Sequence, residues 1–167
     1  NALVEAQLIT DFLENDVLGS ASNANVDRAT VSYTLDSASR SLAAGKFKDK
    51  PLIEARICQT LGNIYRRLGE HKKAEQHLLR AIDIDQKHLG EEHPDTLKAM
   101  GDIGWVYLKQ GRHHEMEKLY TKLVKIQRDV HGVEHPFGDL NGLAVASYAL
   151  GKYQQAELLY EELLQRV

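Results

Sequence analysis

The sequence has 167 residues but only one cysteine, three prolines and one tryptophan. Cys58 stands alone, which excludes an internal disulfide and a cysteine-rich metal site. The longest purely apolar runs span only a few residues, too short for a membrane-crossing helix, so direct membrane insertion is not expected. Charge of one sign is also lacking. With 21 Lys+Arg against 24 Asp+Glu the net charge is −3, which gives no bulk attraction to nucleic acid or anionic lipid. No strand-like alternation is evident, so a phosphate-cradling Gly-rich loop has no strand to follow. The Gly-rich loop, His-Arg-Asp and Asp-Phe-Gly signatures of a protein kinase are absent as well. No cofactor and no catalytic residue are expected. The chain opens on Asn1 without a signal-peptide pattern, and reads as a segment of something longer. What is present, 43% apolar and 27% charged residues, fits a globular domain able to bury a core.

The few prolines are evenly spaced. Pro51, Pro94 and Pro136 are separated by 43 and 42 residues. A 42-residue shift also places Gly62 on Gly104, Tyr65 on Tyr107, Gly69 on Gly111, Glu75 on Glu117 and Gly90 on Gly132, and it superposes Glu92-His93-Pro94 on Glu134-His135-Pro136. Such a period marks a stacked repeat, each unit burying its apolar face against its neighbours. After Pro136 the register drops by two residues, and Gly111 then matches Gly151 while Tyr120 matches Tyr160.

Within a unit the pattern is helical. Ile53, Ile57, Leu61, Ile64, Tyr65 and Leu68 step by three or four onto one face. Proline opens this helix, Gly69 closes it, and Ala74, Leu78, Ala81 and Ile82 begin the stripe of a second helix. The other face of the second helix carries Lys72, Lys73, Gln76, Arg80, Asp83 and Lys87, expected to be solvated. Gly62 and Ala74 are small enough to let the pair approach closely. Three helical hairpins result, at 51–93, 94–135 and 136–167. Residues 1–50 lie outside the register and read as a helical pair capping the first hairpin. One stripe is Leu3, Ala6, Ile9, Phe12, Leu13 and Val17. After a Gly19–Asn25 break, Asp27 caps a second helix with Val31, Leu35, Ala38 and Leu42, and Phe47 tucks under the helix that follows. At the other end Leu158, Leu159, Leu163 and Leu164 have no further helix in the sequence to cover them, a surface for self-association.

Leu61-Gly62-x-x-Tyr65-x-x-x-Gly69 with Ala74, Leu78 and Ala81 resembles the tetratricopeptide repeat signature. The linker Leu89-Gly90-Glu91-Glu92-His93-Pro94-Asp95-Thr96-Leu97 is similar to the 42-residue form found in kinesin light chains. The resemblance covers residues 51–167. It implies an all-α, right-handed tetratricopeptide solenoid with the N-terminal pair as a cap, acting as a non-catalytic module that binds a partner protein or peptide in its concave groove. The leader, through Phe12-Leu13, Thr30-Val31, Leu35-Asp36-x-Ala38, Phe47 and Pro51-x-x-Glu54-Ala55, resembles the segment preceding such repeats in bacterial serine/threonine kinases. That likeness implies an alternative role, as the regulatory or sensory region of such a kinase, acting on its own kinase domain or oligomer.

Histidines offer one competing chemistry. His113-His114 and His131-x-x-x-His135 have spacings that metal ligands also use. Yet His71 and His113 occupy one repeat position and His93 and His135 another, so the repeat accounts for all four. His93 and His135 precede helix-starting prolines, where an imidazole can satisfy an exposed N–H. Cys58 beside the apolar stripe reads as a small packing residue.

The resemblance to tetratricopeptide repeats places the candidate site on the groove face of the first helix of each hairpin. It presents Gln59, Asn63 and Arg66 flanked by Arg56 and Arg67, then Lys98, Gly101, Asp102, Trp105, Leu108 and Lys109, then Asn141, Val145 and Tyr148. In this reading Asn63 grips a partner's backbone, Trp105 and Tyr148 take apolar side chains, and the cations favour an acidic partner segment, since Asp102 alone opposes them. Where kinesin light chains carry paired asparagines, this chain has Gln59-Thr60, Gly101-Asp102 and Asn141-Gly142.

Overall fold

A computed structural model describes residues 28–131 and 137–165, with side chains for 32–130 and 138–165. Seven helices make up the described residues, with no strand among them. They are α1 Arg28–Ala43, α2 Pro51–Leu68, α3 His71–His88, α4 Pro94–Lys109, α5 His113–His131, α6 Phe137–Ala149 and α7 Tyr153–Leu164. The stripe expected over residues 3–17, the break before Asp27, the side chains of Val31, His131 and His135, and Pro136 lie outside the described residues. The chain forms two compact units, Asn1–Ile84 and Asp85–Val167.

In the first unit α2 begins with Pro51 in its first turn, where the missing N–H costs nothing. The helix ends where Gly69 turns left-handed at φ +80°. The Gly69 N–H bonds the Arg66 carbonyl at 3.1 Å and the Glu70 N–H bonds the Tyr65 carbonyl at 2.9 Å, a C-cap that favours glycine. Gly111 and Gly151 close α4 and α6 with the same pair of bonds. More of α2 is buried than its stripe alone predicts. Ala55, Cys58 and Gly62 join Ile53, Ile57, Leu61 and Tyr65 in the core, while Ile64 and Leu68 are only half-buried. Burial extends round the helix because α1 also packs against α2, through Leu35, Ala38 and Leu42, and Phe47 is buried beside them as expected.

A polar network joins α1 to this hairpin. Asp36 accepts the Tyr65 hydroxyl at 2.7 Å and the Lys73 ammonium at 2.7 and 2.9 Å. Lys73 also pairs with Glu70 at 2.7 Å. Burial raises the Asp36 pKa, but the bonds from Lys73 and Tyr65 outweigh it and hold the carboxyl below its ordinary range. Burial, and after it the hydrogen bond to Asp36, pushes the Tyr65 phenol up. Lys73 is thus not on a purely solvated face, because α1 carries Asp36 to it. Arg80 likewise reaches Glu54, at 3.0 Å.

In the second unit α4 packs against α5 and α6, α5 against α6, and α6 against α7. His93 caps α4, its Nδ1 accepting the Asp95 N–H at 3.2 Å. Tyr120 of α5 fills the space where three helices meet. A Cβ on Gly104 of α4 would stand 2.5 Å from its ring, and a Cβ on Gly142 of α6 would collide with it too. Gly62 meets Leu78 in the first unit in the same way, at 2.7 Å, and Leu78 and Tyr120 are one repeat apart. At the far end Leu163 is buried by the packing of α7 on α6, contrary to the expectation that it stays uncovered, and Leu159 is half-buried. Leu158 and Leu164 are exposed at 66% and 74%.

Gly104→Ala should therefore lower stability by about 1–3 kcal/mol, because the methyl drives into a packed ring. Gly138→Ala is the control, since nothing lies within 4 Å of its added Cβ, and it should leave the melting temperature unchanged or raise it. Thermal unfolding followed by circular dichroism compares the two. Equal melting temperatures would remove the close approach as a determinant of the fold.

Candidate functional site

Four of the fourteen groove-face residues, Lys98, Gly101, Asp102 and Trp105, come together in one cleft of the second unit. Lys98, Asp102 and Trp105 are spaced along α4 so that they share a face, and they line an open cleft of about 360 Å³. Its other walls are Tyr120 and Gln127 of α5 and Gly138 and Asp139 of α6, with Pro94, Leu97 and Gly101 completing α4's side. Tyr120 does double duty: its hydroxyl bonds the Gly101 carbonyl at 2.9 Å, and its ring meets Trp105 edge-on with centroids 6.4 Å apart. Trp105 is half-buried. It packs against α5 through Tyr120 and also lines the cleft.

Asp139 and Gln127 are the chemically unusual pair. The Gln127 amide Nε2 donates to Asp139 Oδ2 at 2.5 Å. Burial pushes the Asp139 pKa up to about 6, and the Gln127 bond lowers it only in part. Gln127 is 5% exposed and its Oε1 has no hydrogen-bond partner. A buried acceptor left unsatisfied costs on the order of 1–3 kcal/mol. The Asp139 Oδ1 atom lies toward α4, 3.4 Å from where a Gly101 Cβ would be.

Neither residue was singled out by sequence. Gln127 does give a signal, as a polar residue three after Val124 on the apolar stripe Leu123, Val124. Asp139 gives none, since an acidic residue in a helix's first turn is ordinary. The charge balance changes with it. The sequence set Asp102 alone against the groove cations, whereas within this cleft two carboxylates face Lys98.

The remaining candidates lie elsewhere. Lys109 is exposed and Asn141 half-buried, and neither lines the cleft. Tyr148 is 62% exposed and packs edge-on against Tyr153, centroids 5.4 Å apart. On α2, Arg56 and Arg67 are exposed, Gln59 is half-buried, and Asn63 accepts the Arg66 Nε–H at 3.2 Å. A second cleft, inside the first unit, is lined by Leu42, Glu54, Cys58, Gln76, His77 and Arg80 among others and takes none of those five. Burial lowers the His77 pKa there. Among the described residues no cluster of three or more His, Cys, Asp or Glu could hold a metal ion. No described helix is long and apolar enough to cross a membrane.

The Asp139 shift gives a pH test. A folded pKa of about 6 against an ordinary 3.8 means the native state holds this proton more tightly. The associated stability is fully present below about pH 3.8 and is lost as pH rises through about 6. Asp139→Asn keeps an acceptor for Gln127 and cannot ionise. Its stability relative to wild type should rise by about 1–2 kcal/mol from acid to neutral pH, a figure reduced for the cleft's access to solvent. Urea denaturation of both proteins across that range measures it, and parallel pH profiles would refute the assignment.

The folding pattern has known counterparts. The tetratricopeptide repeat family model matches residues 54–129 and 106–167. The nearly identical TPR-like repeats of a Podosopora anserina protein named as a putative kinesin light chain are 20% identical, with a TM-score of 0.61 over 96% of this chain and 86% of that one. A point-substituted form of the same protein is also 20% identical, with a TM-score of 0.62 over 96% of this chain and 85% of that one. BtubC (BKLC) from P. vanneervenii is 15% identical, with a TM-score of 0.64 over 96% of this chain and 72% of that one. No curated protein matches in sequence. Tetratricopeptide repeat proteins are in general non-catalytic scaffolds that bind proteins or peptides. With its all-α repeat fold and a family match over more than half its length, the chain belongs to the tetratricopeptide repeat family.

Proposed function

We propose that this chain is a protein-interaction module whose second unit holds a segment of a partner protein in the cleft between α4, α5 and α6. In this reading residues 51–93, 94–135 and 136–167 are three repeats, and α1 belongs to a cap on the first. The observation that carries the proposal is the cleft's lining, an aromatic anchor beside a buried, unsatisfied acceptor. Trp105 combines a large apolar surface with an indole N–H, the properties that make tryptophan a frequent binding anchor. The acceptors around it suit the N–H groups of an incoming chain. Arg56, Gln59, Asn63, Arg66 and Arg67 on α2 form a second candidate surface on their own unit.

Trp105→Ala should weaken partner binding by about 1–3 kcal/mol, while Lys72→Ala combined with Lys87→Ala, both exposed on α3, should do little. A pull-down with wild type and the two variants identifies what depends on the cleft, calorimetry gives the affinities, and circular dichroism confirms folding. If the α3 variant loses the partner and Trp105→Ala retains it, the cleft is the wrong surface. If Trp105→Ala unfolds the protein, the indole serves packing against Tyr120 and the proposal fails.

A further inference from the structure

We infer that the cleft between α4, α5 and α6 is an arginine-accepting subsite, taking a guanidinium side chain of the partner between the Trp105 ring and the acceptors of Gln127 and Asp139. The inference rests on the docking reading above and specifies its chemistry.

Three observations point the same way. Two acceptors of the lining stand out: the Asp139 carboxylate, and Gln127 Oε1, which is buried and has no donor. The Gln127 Nε2 atom is already engaged by Asp139 Oδ2, so the amide presents its oxygen. A ligand that completes this set must bring several N–H donors and no acceptor of its own. Guanidinium does so, with five donors in a planar fork, and it also stacks on aromatic rings. Trp105 supplies the ring. An ammonium group carries only three donors on one atom and fits spread acceptors less well.

Charge agrees with this. The charged groups that line the cleft with Asp139 are Lys98 and Asp102 of α4, and its other polar walls are Tyr120 and Gln127 of α5. Lys98 is exposed at the rim, and its long stem lets the ammonium stay in water. The interior is left to the acids. Burial makes Asp139 reluctant to ionise without a counter-ion, so a bound guanidinium stabilises the charged carboxylate, and binding must weaken as pH falls through about 6. The cleft volume, about 360 Å³, is at the small end of the range for pockets that hold drug-sized ligands, which leaves room for one side chain.

Trp105 is the only tryptophan, so its fluorescence reports this cleft directly. The intact protein is titrated with N-acetyl-arginine methylamide, and separately with the uncharged citrulline analogue and the glutamate analogue. A saturable change is expected with the arginine probe and not with the other two. Asp139→Asn should weaken the arginine response by at least about tenfold, as expected for loss of one charge-assisted bond, and wild-type affinity should fall in acid. A flat arginine titration, an equal response to citrulline, a stronger response to glutamate, or an Asp139→Asn variant that binds as wild type does would each overturn the inference. The pull-down with Trp105→Ala tests the docking reading separately. A partner that needs Trp105 but is indifferent to Asp139→Asn leaves the docking cleft standing and removes arginine as its occupant.

Discussion

The second unit depends on how closely three helices approach one aromatic ring. Tyr120 occupies the junction of α4, α5 and α6, and that is possible only because Gly104 and Gly142 present no side chain to it. Close packing of this kind tolerates little change in volume. The ring's hydroxyl bonds the Gly101 carbonyl, and its edge meets Trp105. The contact that sets the helix spacing therefore also sets the floor and one wall of the cleft. Fold and candidate site share a residue.

The polar interior of the cleft works against stability. Asp139 is buried enough that its proton is held up to about pH 6, and Gln127 keeps an unsatisfied acceptor. Neither helps the isolated unit fold, and an apolar pair in their place would avoid both costs. The Asp36 cluster of the first unit provides the contrast. There the carboxylate receives Tyr65 and Lys73, burial is outweighed, and the group ionises readily. Similar chemistry is fully paired where it joins helices and incompletely paired where a cleft opens. Local departures from self-consistency of this sort are expected where a surface awaits a ligand.

The fold was legible because its determinants are local. Prolines in first helical turns, glycines in left-handed caps, and apolar residues every three or four positions each act within one helix or turn, and the repeat displays them more than once. Gly62 could be read as a close approach for the same reason. Three features were not legible. Lys73 looked solvated because Asp36, which pairs with it, is 37 residues away in sequence. Leu163 reads as uncovered because the hairpin at 136–167 pairs α7 with α6 without showing which of its leucines that pairing buries. Asp139 went unnoticed because only tertiary packing buries it and brings it to Gln127, Asp102 and Trp105.

The same comparison separates scaffold from site. Under the 42-residue shift the structural positions are kept in kind: Gly62 and Gly104, Gly69 and Gly111, and Leu78 and Tyr120, both of which pack on the preceding glycine. The cleft positions are not. Trp105 falls on Asn63, Asp102 on Thr60 and Gln127 on Asp85, Asp139 in the register shorter by two residues falls on Ala99, and only Lys98, on Arg56, keeps its charge. Packing within a hairpin has to be solved alike in each repeat, since the same two helices must approach closely. Recognition carries no such requirement. Residues that break the period are where a repeat protein holds chemistry of its own, and in the second unit Asp102, Trp105 and Asp139 do so along one cleft.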